Sequence, residues 1–298
     1  MSEDASDATL RSASGLPPWL RTKIKKAELG QSMRHGLGRC GVATVCEQAR
    51  CPNIGECFSQ GTATFLLMGT VCTRNCRFCA IDSGRPEPLD PDEPQRVAAA
   101  AAELGLEFVV VTSVTRDDLP DGGAKHFAQT IEAIHECLPE AGVEVLTPDF
   151  GGSDASLAQV LGAEPTVFNH NVETVPRLQS EIRPQADYER SLGLLASAHQ
   201  IAPHITIKSG LIVGMGETTD EIGQTITDLA DVGVSILTIG QYLQPTRRHR
   251  PVSRYIPPDE FDLYQQWGEE AGLAYVLSGP FVRSSYHAAE AARQVAGK

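Results

Sequence analysis

Two hydrophobic rhythms alternate over most of the chain. Short apolar runs rich in β-branched residues fall at 62–68, 108–114, 143–147, 166–169, 205–213, 235–239 and 275–277. Each has the length and residue types of a buried strand. Between them, apolar residues spaced three and four apart predict helices near 94–104, 123–138, 154–162, 187–200, 218–232 and 259–271. Pro94 suits a first helical turn, and Asp220 and Glu221 suit the positive end of a helix dipole. Strands alternating with helices imply parallel βα units. The fold class expected is therefore α/β: a partial, TIM-like β/α barrel of about six βα units, with an N-terminal cysteine-rich extension and a C-terminal tail. A doubly wound open sheet is the alternative.

The rhythm breaks before residue 62. Residues 1–15 are polar and rich in Ser, Asp and Ala, and read as a disordered tail. Residues 16–60 carry cysteines and glycines without clear periodicity, the barrel is expected over 61–280, and 281–298 is left as a C-terminal segment. No apolar run approaches the roughly 18 residues of a membrane span, and the N-terminus lacks the apolar core of a secretory signal. The expectation is a cytoplasmic protein with no membrane association. Its formal charge of −13 argues against nucleic acid as a partner, since phosphates call for a basic face.

Cysteine usage changes the picture most. Seven of the eight cysteines lie between residues 40 and 79. Without an export signal, disulfides are not expected, and clustered thiols suggest metal binding or catalysis. Cys72, Cys76 and Cys79 follow the first barrel strand, which puts them in a loop at the mouth where barrel active sites form. Three thiolates suit an iron–sulfur cluster with one iron left open. A zinc knuckle would need a fourth ligand, usually from a second close pair, and none is present in the sequence. Cys46, Cys51 and Cys57 form another triplet on irregular chain. They suit a second cluster, though ligation of the same cluster or of structural zinc is also compatible.

Other residues have plainer readings. Cys40 and Cys137 have no partner at ligand spacing, and Cys137 shares a helical register with Ile131, Ile134 and Leu138, as a core thiol would. No histidine falls at ligand spacing within a triplet. Arg116, Asp117, Asp118 and Asp121 follow the second barrel strand, where they would line a substrate channel or cap the next helix.

The Cys72-x3-Cys76-x-Phe78-Cys79 motif resembles the radical S-adenosylmethionine superfamily. The two triplets together resemble the lipoyl synthase family. So do the segments at 16–21 (LPPWLR), 47–56, 112–123 (TSVTRDDLPDGG), 168–173 (FNHNVE), 208–217 (KSGLIVGMGE) and 283–286 (RSSY). That resemblance implies two 4Fe–4S clusters and S-adenosyl-L-methionine. The open iron of the Cys72 cluster would hold the methionine group, and reductive cleavage would give a 5′-deoxyadenosyl radical. The Cys46 cluster, its fourth ligand Ser284 or Ser285, would donate sulfur. The implied reaction inserts two sulfur atoms, at positions six and eight of an octanoyl chain on a carrier lysine. Phe78, Gly214 and Met215 would lie against the adenine. Asn171 and Glu173 would meet the ribose hydroxyls, and Lys208 either the methionine carboxylate or solvent.

The partners implied are octanoylated lipoyl carrier domains, namely the E2 subunits of 2-oxoacid dehydrogenases and the glycine cleavage H protein. A flavodoxin or ferredoxin would be the electron donor, and an iron–sulfur carrier protein would rebuild the cluster. A basic run, Arg247, Arg248 and Arg250 with Arg254, follows the sixth barrel strand and is a candidate dock for an acidic carrier.

Overall fold

The computed structural model describes residues 15–21, 37, 40–49, 51–59 and 62–297. The expected tail is outside the described residues except for Gly15, as are residues 22–36 of the extension.

One eight-stranded sheet organises the chain. Its strands are β1 (Ala43–Thr44), β2 (Thr64–Leu67), β3 (Phe108–Ser113), β4 (Gly142–Leu146), β5 (Val167–Asn169), β6 (Thr206–Val213), β7 (Ile236–Gln241) and β8 (Tyr275–Gly279), adjacent in that order. β1 runs antiparallel to β2, and every other pairing is parallel. Strand order follows chain order without reversal, whereas a doubly wound sheet has a switch point.

Seven helices follow β2 to β8 in turn: α1 (Glu93–Glu103), α2 (Ala124–Cys137), α3 (Asp154–Leu161), α4 (Tyr188–Ile201), α5 (Thr219–Asp231), α6 (Pro258–Glu270) and α7 (Ala288–Ala296). Their starts are written locally. Pro94 sits in the first turn of α1. Thr218 and Glu221 form a reciprocal capping box on α5, so Glu221 does more than complement the dipole. Ser153 caps α3, and Asp187 caps α4.

The strands are short and mostly apolar because both faces are covered. Val109, Val111, Val143, Val145, Phe168, Ile207, Leu237 and Ile239 are all inaccessible to solvent. The expected strands and the first six helices match the observed ones to within two residues. Short elements escaped the sequence reading. They include β1, the one-turn helices Val45–Gln48 and Ile54–Ser59, and α7, which turns the expected tail into an ordered helix. Cys137 is exposed, not a core thiol. It is the last residue of α2, past the layer where Ile131 and Ile134 pack. Among the described residues, no helix is long and apolar enough to cross a membrane.

Candidate functional site

The Cys72–Cys79 loop leaves the sheet just after β2. A two-stranded parallel ladder, Val71–Cys72 with Asp82–Ser83, clasps its base. Arg74 holds its middle. That guanidinium is buried, and it bonds Asp117 beyond β3 at 2.8 Å through two nitrogens. It also bonds Asp149 beyond β4 at 3.0 and 2.6 Å. Asp149 takes a further bond of 3.0 Å from Arg190. The Arg74 charge holds the Asp149 carboxyl far below the usual range, against the opposing effect of burial. The loop is thus pinned to two neighbouring strand ends by charge-assisted bonds.

Within the loop the three sulfurs feel one another. Burial pushes the Cys79 thiol up to about 12, and the charges of Cys76 and Cys72 add to it. Burial also raises Cys76, while nearby Arg183 opposes the rise. The Cys72 sulfur accepts backbone N–H bonds from Thr115 at 3.3 Å and Arg74 at 3.4 Å. Arg183 is itself buried and donates to the carbonyls of Asn171 and Val172 at 3.2 and 2.9 Å. Phe78 is half-buried and packs against the core edge.

Beside this loop, a cavity of about 150 Å³ opens among Asn171, Glu173, Gly210, Ile212, Thr238 and Ser284, with Val282 and Arg283 along its edge. Glu173 holds a left-handed backbone (φ 64°), a strained conformation for glutamate, and bridges to Leu211. Its carboxylate accepts a 3.1 Å bond from the Asn171 amide, and burial raises its pKa. Gly210 is required here, since a Cβ would lie 2.6 Å from the Asn171 side-chain oxygen.

Gly214 and Met215 lie outside this cavity lining. Both backbone amides donate to the Glu217 carboxylate, Met215 at 2.9 Å, and the Met215 side chain is fully buried. Lys208 is neither solvated nor at a strand end. It is fully buried near the start of β6, and its ammonium bonds both Glu144 oxygens at 2.8 and 2.9 Å.

The C-terminal segment joins the Cys46–Cys57 extension to the sheet. The Asn53 amide donates to the Phe281 carbonyl at 2.5 Å, and the Tyr286 hydroxyl to Glu56 at 2.9 Å. Arg283 is near Cys51, whose charge favours the guanidinium while burial works against it. Burial, then the Cys51 charge, pushes the Cys46 thiol up to about 11. Ser284 lines the cavity. Its oxygen accepts from the Asn169 amide at 2.7 Å and donates to the Asn171 oxygen at 3.2 Å. Asn169 also donates to Glu144 at 3.1 Å, so the buried Glu144–Lys208 pair fixes which end of that amide meets Ser284. Ser285 is half-buried and does not line the cavity.

No disulfide joins any two of the eight cysteines. Among the described residues, no three His, Cys, Asp or Glu side chains gather tightly enough for a single metal ion. The donors nonetheless fit iron–sulfur clusters. Two groups of soft sulfur ligands are held in partly buried segments, one in the Cys72–Cys79 loop and one on two short helices and their connection, each with an arginine nearby to balance thiolate charge.

The acidic residues after β3 have structural roles. Asp121 receives the amides of Gly123 and Lys125 at 2.9 Å, capping α2, while Asp118 pairs with Arg116 at 2.8 Å. The basic run divides. Arg250 pairs with Glu181 and Arg254 with Glu260, whereas Arg247 and Arg248 are exposed.

Known proteins match this arrangement. Residues 66–229, more than half of the chain, match the Radical SAM superfamily. A lipoyl synthase from Caldanaerobacter subterraneus subsp. tengcongensis is 53% identical over 91% of this chain and 95% of its own length. The chain belongs to the lipoyl synthase family. Lipoyl synthases from Rubrobacter xylanophilus (51% identity, 94% of this chain, 87% of theirs) and Haemophilus influenzae strain PittGG (50%, 91% and 86%) agree. Like them it is a radical S-adenosylmethionine enzyme, an iron–sulfur sulfurtransferase.

Solved structures share the fold at low identity. HydG, a maturase of the FeFe-hydrogenase, aligns with TM-score 0.58 at 14% identity over 91% of this chain and 72% of that one. Streptococcus suis SuiB bound to S-adenosylmethionine aligns with TM-score 0.56 at 11% identity, over 72% of this chain and 49% of its own.

Sequence reasoning named the triplets, Ser284, Asn171 and Glu173. It missed Arg74, Asp149 and Arg183, none of which stands out by type or spacing, and it quoted Asn169 and Arg283 within family-like segments without giving either a role. Glu144 and Lys208 did carry a signal, since each is a lone charge inside an apolar strand.

Proposed function

We propose that this chain inserts two sulfur atoms into an octanoyl chain borne on a carrier lysine, with the two cysteine triplets in separate roles. Cys72, Cys76 and Cys79 hold the cluster that binds S-adenosylmethionine. Cys46, Cys51 and Cys57 hold the second 4Fe–4S cluster, which donates sulfur and takes its fourth ligand from Ser284. The observation that carries this reading is the placement of Ser284 and Arg283 in the cavity beside the Cys72 loop, with Cys51 of the first triplet next to Arg283. Ser284 is preferred to Ser285 because its oxygen is the one turned into that cavity.

When bound, these groups supply a one-electron reduction, hydrogen-atom abstraction from unactivated C–H bonds, and sulfur. The protein supplies position and exclusion. Arg74 fixes the Cys72 loop through Asp117 and Asp149. Asn169 donates to the Ser284 oxygen, which favours its anionic, ligating form. Leu211, Ile212 and Val282 give the cavity apolar walls against water. Asn171 and Glu173, within that cavity, are placed for the ribose hydroxyls, and Phe78 for the adenine. Gly214 and Met215 shape the nearby turn through Glu217, and Lys208 acts through Glu144.

The finer architecture follows the same reading. The sheet curls into a partial barrel over 61–280, with 16–60 and 281–298 as the auxiliary-cluster extension and its closing segment. Contacts of α7 with both β3 and β8, far apart in sheet order, support such curling. Octanoylated carrier domains, a flavodoxin or ferredoxin, an iron–sulfur carrier protein and a cytoplasmic setting complete the proposal.

Separate loss of the triplets tests it. Changing Cys46, Cys51 and Cys57 together to alanine should leave about four of about eight irons. That variant should still release 5′-deoxyadenosine while adding no sulfur. Sulfur insertion by that variant would refute the division of roles.

A further inference from the structure

The geometry points to an electron-entry face built from Arg247 and Arg248, a docking patch for an acidic one-electron donor protein. This rests on the proposed role of the Cys72 loop as a cluster site.

The loop at 246–250 sits directly on the cysteine loop. The His249 ring makes a 2.9 Å bond with the Cys79 carbonyl, and its other nitrogen meets the Thr246 hydroxyl at 2.8 Å. The Arg250 backbone N–H donates to the Arg77 carbonyl at 3.0 Å. Two hydrogen bonds therefore join this surface loop to the segment between Cys76 and Cys79. Carbonyls accept only, so both bonds are donated from the 246–250 side.

The loop's charges are sorted. Arg250 turns inward, to Glu181 and to the Met215 carbonyl at 2.8 Å. Arg254 makes a two-pronged pair with Glu260 at 2.6 and 2.8 Å. Arg247 and Arg248 are exposed and form no ion pair with any described residue, and exposed Arg77 lies on the adjoining turn. In a chain of net charge −13, a basic patch seated on the cysteine loop is a local inversion of the surrounding field.

Position favours a donor over the acyl carrier. No residue of 246–250 lines the cavity where the acyl chain would react, whereas the loop is bonded to the backbone of Cys79. The transfer balances simply: the donor is oxidised by one electron, and the centre held by the cysteine loop is reduced by one.

The test uses reconstituted full-length enzyme carrying Arg247→Glu and Arg248→Glu, with a recombinant flavodoxin of negative net charge as probe. Flavodoxin binding at low salt should weaken about tenfold or more, and the salt dependence of the remaining binding should flatten. Binding of an octanoylated carrier domain, and 5′-deoxyadenosine release driven by dithionite, should be unchanged. Unchanged flavodoxin binding would overturn the proposal. So would a loss of carrier binding in place of flavodoxin binding, which would assign the patch to the carrier. Failure of the unmodified enzyme to release 5′-deoxyadenosine with dithionite would instead refute the cluster role itself.

Discussion

His170 shows how one buried group sets a pH response. Burial drops its pKa from 6.5 to about 4. One ring nitrogen donates to the Thr147 carbonyl at 2.9 Å, and the other meets the Ser191 hydroxyl at 3.0 Å. The unfolded chain binds a proton below the ordinary histidine pKa, and the folded chain does so only near pH 4. Stability should therefore fall as pH drops from about 6.5 toward 4, by about 2 to 3 kcal/mol from this residue. Urea denaturation across that range checks it, and His170→Gln should flatten the slope. A second residue-scale expectation concerns the tail serines. Ser284→Ala should abolish sulfur insertion yet keep 5′-deoxyadenosine release, and Ser285→Ala should keep both. Product analysis of the two variants decides it. The contrast was not legible in the sequence, where the serines are adjacent and equivalent. Only Asn169 and Asn171, brought across from β5 and its following turn, tell them apart.

Elements divide by the range of the forces that define them. β2 to β8 and α1 to α6 were legible because periodicity and caps are local. The clamp on the cysteine loop was not, because Arg74 meets Asp149 across 75 positions of chain. Asp149 is completely buried, so neutralising it leaves guanidinium charge in a poor solvent. Asp149→Asn should cost about 3 kcal/mol, less than a full orphaning because Asp117 still holds Arg74. It should also speed iron loss from the reconstituted protein. Chemical denaturation and iron retention under chelator measure the two effects. Similarly, Gly240 gives β7 room for the C-terminal segment: an added Cβ would overlap the Val282 carbonyl. Gly240→Ala should push that segment off the strand, lowering stability by about 1 to 3 kcal/mol. It should reduce sulfur insertion more than 5′-deoxyadenosine release.

Across the whole molecule, chemistry is assembled from both ends of the chain. Asn53 bonds Phe281, Glu56 bonds Tyr286, and Cys51 faces Arg283, so the cysteine extension is closed by residues more than two hundred positions away. The sequence displayed the parts as motifs, but their junction depends on the sheet bringing β5, β6 and β7 beneath residues 281–286. The central claim is that the extension's cluster supplies sulfur to a chain held beside the Cys72 loop. The most direct measurement is mass spectrometry of an octanoyl-lysyl peptide after anaerobic turnover, with clusters reconstituted from heavy-isotope sulfide and unlabelled sulfide in the medium. The account predicts a product with two added sulfurs, both heavy. A product carrying unlabelled sulfur, or none, would contradict it.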